Sequence, residues 1–298
     1  SLHDALPIYM IAKVGRQLYI ATYGAGLFIY HIDNGKTEHF SSIDPEPIIE
    51  SNYLMNIYVD RNASIWLPSE GGGVSCLTPQ RNAISQYIEV APGERGGWEN
   101  YICGMALANP MQVRVATRQG NFYDVNLKTG SVSLQGNVKN SPNTWIRSRD
   151  GHLWTGTSNG MLLDGHLYQE DVSTSAFTPN YITNLVEDSF HRVWVASWGG
   201  LRLVKAANGK LQNIGIYLRS NINSCRIMTL ALQNNGSLWV GTRNGIYLIN
   251  TREKTIDEKK FIHFDVENGQ LPFNQISDIV VSRDGTLWLG SRGAGVVK

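Results

Sequence analysis

The sequence is short of charge. Only 17% of its 298 residues are Asp, Glu, Lys or Arg, and 26 basic side chains face 25 acidic ones. With no basic block to gather phosphates, no nucleic-acid partner is expected. Cysteine is scarce too. Cys76, Cys103 and Cys225 lie far apart without metal-ligand spacing, so they read as buried free thiols. One disulfide stays open in an oxidising compartment, with the third thiol left over. The histidines, His3, His31, His39, His152, His166, His191 and His263, show no His-x-x-x-His spacing, so no metal site is expected. There is no Gly-x-x-x-x-Gly-Lys and no Ser or Cys nucleophile motif, so neither a phosphate loop nor a cofactor is expected. No apolar run approaches the roughly 18 residues needed to cross a bilayer, no signal peptide is visible, and the first residue is not Met.

What the sequence has is a repeat. Seven times a short apolar strand runs into a glycine-bearing turn: Leu18–Thr22, Ile65–Ser69, Val113–Thr117, Leu153–Thr157, Val193–Ser197, Leu238–Thr242 and Leu287–Ser291. The second residues of these copies are Tyr19, Trp66, Arg114, Trp154, Trp194, Trp239 and Trp288, spaced by 47, 48, 40, 40, 45 and 49. A period of about 40–50 residues built from strand signals alone marks a β-propeller with one four-stranded blade per repeat. The fold class is therefore all-β, a propeller of seven four-stranded blades with the last incomplete. Residues 9–298 form the propeller, and residues 1–8 fit no blade pattern and read as a non-native or disordered lead. The last repeat stops just after a turn, so the chain reads as a fragment without its third and fourth strands there, with sheet edges exposed to association.

One repeat shows the plan. Ile182–Glu187 and Val193–Ser197 form two strands around a polar turn at 188–192. Trp198-Gly-Gly turns the chain into a third strand from Leu201, and Ala207-Asn-Gly-Lys is a hairpin signal leading to a fourth near 211–216. The register recurs elsewhere. Asp60, Ser148, Asp188 and Ser282 stand six residues before their anchors, and Asn52, Asn100, Asn140, Asn180 and Asn274 stand eight further back, with Cys225 the exception. These Asn side chains suit hydrogen bonds to backbone where one blade hands over to the next. The anchor rings suit the wedge between neighbouring blades.

The unit Asn-x-Ile-x-x-Leu-x-x-Asp-x-x-x-x-Leu-Trp-Val-Gly-Thr-x-x-Gly-Gly-Leu resembles the two-component regulator propeller repeat. Asn274–Val297, Asn180–Val204 and Gly236–Ile249 are close matches, whereas Pro68 and Arg114 depart from the pattern. The resemblance implies the periplasmic sensor region of a Bacteroidetes hybrid two-component system, part of an inner-membrane protein. It also implies an oligosaccharide ligand, a neighbouring propeller and an immunoglobulin-like domain in the same parent chain, a histidine kinase beyond them, and the parent's homodimer as a further partner.

The turn after each anchor strand carries a variable residue: Tyr23, Glu70, Arg118, Ser158, Trp198, Arg243 and Arg292. Two aromatics, three arginines and one acid at equivalent places suit a polar ligand, because sugars take aromatic faces and hydrogen-bonding groups. The bland alternative is a set of solvated turns, or turns that meet a neighbouring domain. Trp98, in the glycine-rich loop 91–101, is a further ligand candidate, while Tyr101 and Trp145 suit either a ligand or the core. Propellers also host glycosidases and lyases, but a carboxylate pair is needed, and Glu70 is the one acid in the ring, with Glu94 and Glu99 in the loop. Ser148-Arg-Asp-Gly and Ser282-Arg-Asp-Gly are similar to a sialidase Asp-box without its residue between Asp and Gly. The reading is a sensor that binds carbohydrate fragments without catalysis. A free-standing scaffold or secretion-associated protein, or a propeller glycosidase or lyase, is the alternative.

Overall fold

The computed structural model describes residues 7–45, 47–60, 63–78, 83–88, 101–138, 141–168, 181–219, 226–282 and 284–298. Blade 1 comprises Ile8–Val14, Gln17–Thr22, Leu27–His31 and Thr37–Phe40, and blade 2 Tyr58–Val59, Ile65–Ser69, Gly73–Thr78 and Ala83–Ile88. Blade 3 comprises Ile102–Asn109, Gln112–Thr117, Asn121–Asn126 and Val132–Asn137, and blade 4 Pro142–Arg147, Leu153–Thr157, Gly160–Leu163 and His166–Tyr168. Blade 5 comprises Ile182–Glu187, Val193–Ser197, Gly200–Ala207 and Lys210–Tyr217, and blade 6 Ile227–Leu232, Ser237–Thr242, Gly245–Asn250 and Ile262–Phe264. Blade 7 has Ile276–Val281, Leu287–Ser291 and Val296–Val297. Each sheet runs in sequence order, so the architecture is all-β, seven propeller blades, six of four strands and one of three.

Sequence dictates the meander directly. In blade 5 the second strand ends at Ser197, whose Oγ donates to the Gly200 carbonyl at 2.9 Å. The same hydroxyl-to-glycine bond recurs at Thr22, Ser69, Thr157 and Thr242. Gly245 shows why glycine follows: its φ is +87°, and a Cβ there would run into the Phe264 carbonyl. The Asn208-Gly209 hairpin takes positive φ at both residues, 53° and 69°, as the tight primed turn requires.

Residues up to Pro142 with Arg292–Gly295 form one compact unit, and Asn143–Ser291 with Val296–Lys298 a second. The first unit holds two cores. One joins Tyr19, Ala21 and Leu27 of blade 1 to Ile65, Leu67 and Leu77 of blade 2. The other joins Trp66, Val74 and Cys76 to Ile102, Val113 and Val115 of blade 3. In the second unit, Trp154 packs with Ile182, Val193 and Val195 of blade 5, and Trp194 with Ile227, Leu238 and Val240 of blade 6. Trp239 lies against Ile276, Ile279 and Leu289 of blade 7. Tyr19, Trp66, Trp154, Trp194 and Trp239 therefore fill the wedge between one blade and the next.

The register six residues before each anchor has a function that periodicity did not reveal: it accepts the indole N–H. Trp66 Nε1 donates to Asp60 at 3.2 Å, Trp154 to Ser148 at 3.0 Å, Trp194 to Asp188 at 3.0 Å and Trp288 to Ser282 at 3.1 Å. Blade 6 has Gln233 at that place, and the buried Trp239 Nε1 has no acceptor. Arg114, the departure from the aromatic pattern, forms a bidentate pair with Asp124 on the adjacent strand, at 2.7 and 2.9 Å. The Asn register also acts on backbone. Asn52 Oδ1 accepts from Ser42 N at 2.7 Å and Asn274 Oδ1 from Val266 N at 2.8 Å, while Asn100, Asn140 and Asn180 lie outside the described residues.

Two expectations change. Blade 7 does have a third strand, Val296–Val297, paired with Gly290 and Leu289, because the Gly293–Gly295 turn reverses the chain. Pro7 and Ile8 are structured: Pro7 bridges Arg292, and Ile8 opens blade 1 with 2% of its surface exposed. In the polar turn 188–192 the three middle residues are exposed while its ends are buried, Asp188 at 0% and Arg192 at 5% exposed. Arg192 donates to Asp188 at 2.8 Å and reaches the carbonyls of Thr251, Glu253 and Lys254, pinning blade 6's loop to blade 5.

Candidate functional site

Five of the seven variable turn residues are placed by their own backbone. The N–H of each donates to the carbonyl of a residue entering the same blade's first strand. Tyr23 donates to Pro7 at 3.0 Å, Glu70 to Tyr53 at 2.9 Å, Arg118 to Tyr101 at 2.8 Å, Trp198 to Tyr181 at 3.1 Å and Arg243 to Arg226 at 3.2 Å. The fold thus sets a second series of positions beside the predicted one. Tyr53, Tyr101, Tyr181 and Arg226 belong to it, and the search from the anchors missed all but Tyr101. The available signal was Asn-Tyr, repeated at 52–53, 100–101 and 180–181.

In the first unit these positions assemble a tyrosine cluster. Tyr23 stacks on Tyr9 with centroids 5.7 Å apart and meets Tyr53 edge-on at 5.0 Å. Its hydroxyl donates to Glu70 Oε2 at 2.8 Å. The Arg292 guanidinium stands 5.4 Å from the Tyr9 ring centroid and Arg118 stands 4.9 Å from that of Tyr101. Tyr23 is 37% and Tyr53 46% exposed, so the cluster offers ring edges, hydroxyls, a carboxylate and two guanidinia to solvent. The Glu70 hydrogen bond holds the Tyr23 phenol above its ordinary pKa, followed by burial. Burial first, then the Glu70 charge, pushes Tyr101 up to about 12, against the lowering effect of Arg118. The Tyr23 and Tyr101 phenols are therefore neutral at physiological pH.

In the second unit Trp198 is half-buried. Tyr181 stacks on it at 4.1 Å with planes 20° apart, and the Arg226 guanidinium lies 4.3 Å from its centroid. Those partners come from sequence positions remote from Trp198, which a local reading does not see. The Trp198 Nε1 is buried without an acceptor. Arg243 is half-buried and Ser158 exposed. Trp98, Glu94 and Glu99 lie outside the described residues. Trp145 is core at 8% exposure. Tyr101 has the same exposure yet touches Arg118.

The other chemistry considered is placed elsewhere. Cys76 is buried and Cys103 half-buried, both free, with burial pushing each thiol up to about 12; Cys225 lies outside the described residues. Among the described residues no group of three or more His, Cys, Asp or Glu is arranged to hold a metal. None of the described helices is long and apolar enough to cross a membrane. A cavity of about 380 Å³ lies between the 232–235 turn of blade 6 and the Val281, Ser282 and Gly285 turn of blade 7, lined by none of the candidate residues.

Residues 270–293 match the family model of the two component regulator propeller. No curated protein matches the sequence. Among solved structures, the extracellular domain of a protein assigned as a hybrid two-component system of B. thetaiotaomicron matches with TM-score 0.72 and 19% identity, over 98% of this chain and 38% of its own. Virginiamycin B lyase from Staphylococcus aureus matches with TM-score 0.70 and 12% identity, over 98% and 94%. PorZ, a bacterial surface component of the type-IX secretion system of Porphyromonas gingivalis, matches with TM-score 0.70 and 15% identity, over 97% and 46%. At these identities the likeness establishes the propeller fold and leaves function to the residues. The chain spans 38% of the first of these proteins.

Proposed function

We propose that this chain, which carries the two-component regulator propeller repeat, is an extracytoplasmic ligand-sensing propeller that binds carbohydrate fragments without catalysis. It belongs, on this reading, to a hybrid two-component protein whose histidine kinase receives the signal. The observation that carries the reading is the tyrosine cluster of the first unit. Tyr9, Tyr23, Tyr53, Glu70 and Arg292 are linked by ring contacts and one hydrogen bond, and Tyr101 with Arg118 forms a second pair in the same unit. Ring faces suit the C–H surfaces of a sugar, and the mixture of donors and acceptors suits its hydroxyls. Catalysis is disfavoured because Glu70, the one acid among the seven turn residues, already accepts the Tyr23 hydroxyl and has no carboxylate partner among those turn residues for glycoside hydrolysis.

A ligand signals only if it binds two states of the parent with different affinity. The test is calorimetric titration with a panel of plant and host oligosaccharides, with chromatography of each sugar afterwards. Saturable binding with the sugar recovered intact supports the sensor. Cleaved sugar moves the protein to the glycosidase or lyase class, and no binding of any sugar leaves the scaffold.

A further inference from the structure

We infer that the Trp198–Arg226 turn in the second unit is a subsite for the anionic group of an acidic saccharide, a carboxylate or a sulfate. This deepens the carbohydrate-sensing reading and rests on it. The first-unit cluster has Glu70 as an acceptor and phenols that both donate and accept. The turn around Trp198 differs in kind. Among the described residues the charged groups placed at it are cations: Arg226 over the indole, and Arg243, whose backbone N–H bonds the Arg226 carbonyl. Among the described residues no carboxylate pairs with Arg226.

The indole adds an independent observation. Trp198 Nε1 is buried and has no acceptor. Such a group costs about 1–3 kcal/mol, and its retention in a fold calls for a reason. Four of the five anchor tryptophans, Trp66, Trp154, Trp194 and Trp288, have an acceptor, so the repeat is able to provide one; Trp239 lacks it too, but only Trp198 combines the unpaired N–H with a guanidinium over its ring. At Trp198 the N–H stays unpaired beneath a guanidinium that has no carboxylate to hold it. An arriving anion supplies what both lack. Arg226 turns to meet two of its oxygens, and as the turn opens Nε1 donates to the same group. A neutral sugar hydroxyl offers no such charge-assisted bond.

The test uses the whole chain with oligogalacturonate, its carboxyl-reduced neutral form, and a sulfated galactan oligosaccharide with its desulfated form. Affinity is read by calorimetry and the Trp198 environment by tryptophan fluorescence. At least one acidic sugar is expected to bind about tenfold or more tighter than its neutral form, the size of one charge-assisted bond. Which one binds separates carboxylate from sulfate. Arg226→Gln should erase that preference. Trp198→Phe should weaken the acidic sugar and remove the fluorescence change. Melting curves show that each variant folds, and if Arg226→Gln does not, Trp198→Phe carries the test. Acidic and neutral forms binding equally, untouched by either variant, overturns this subsite and leaves the sensor reading standing. If no saccharide of either kind binds, both fail.

Discussion

Trp194 and Trp198 stand four residues apart in one blade, and the repeat gives them opposite tasks. Trp194 is 0% exposed, packed against blade 6, and its N–H is held by Asp188 at 3.0 Å. Trp198 is half-buried, lies between a ring and a cation, and its N–H is unpaired. The position within the repeat, and not the residue type, decides the outcome. Anchor positions look into the wedge between blades, where burial and a local acceptor fix them. Turn positions meet whatever the neighbouring turns present, and those side chains vary from blade to blade.

The comparison breaks most readily at the acceptor. Arg192→Ala leaves Asp188 buried without its counter-charge and releases the Thr251, Glu253 and Lys254 carbonyls, so it should cost about 3–5 kcal/mol in urea unfolding. A loss below about 1 kcal/mol would mean that the network is not what holds the anchor. Blade 6 provides the reverse experiment. Gln233→Ser puts there the residue that serves Trp154 and Trp288, and an acceptor for Trp239 Nε1 should add about 1 kcal/mol. Unchanged or lower stability would show that the six-residue register alone does not place the acceptor.

The smallest effect belongs to an exposed pair at a blade 4 turn, where His152 Nδ1 lies 2.5 Å from Asp164 Oδ2. The Asp164 hydrogen bond raises the His152 pKa. The Leu153 backbone N–H, then His152, lowers that of Asp164. The raised histidine stabilises the fold below about pH 6.5 and loses that effect as pH climbs through its folded pKa; the lowered aspartate stabilises above about pH 4 and loses it as pH falls through its own. Between those limits His152→Gln should lower the melting temperature slightly, with the difference vanishing by pH 8. A difference independent of pH would point to packing instead of charge.

Much of the scaffold was legible because it repeats. The seven anchor strands, the hairpin at Asn208-Gly209 and the backbone role of Asn52 and Asn274 all follow from residues that recur at fixed offsets. What the offsets did not disclose was chemistry between elements. The acceptor six residues before an anchor was visible as a pattern, but its partner, the indole N–H, is found only once the turn brings the two together. The candidate site is another matter. Following the anchors points to Tyr23, Glu70, Arg118, Trp198, Arg243 and Arg292 as candidates, and the carbonyl partners beside them include Tyr53, Tyr181 and Arg226, which the anchors do not point to. Stacking of Tyr181 on Trp198 and of Tyr9 on Tyr23 depends on pairs 14 or more residues apart in sequence, beyond any local window.

The most direct measurement sets Trp194→Phe beside Trp198→Phe, recording for each the melting temperature and the affinity for whichever saccharide the wild type binds. The account predicts that Trp194→Phe costs about 2 kcal/mol or more, a drop of several degrees, with affinity unchanged in the folded protein. It predicts the converse for Trp198→Phe: weaker binding with a melting temperature near that of the wild type. If both variants lower the melting temperature alike and neither alters binding, the turn position is core, and the division between anchors and ligand turns is wrong.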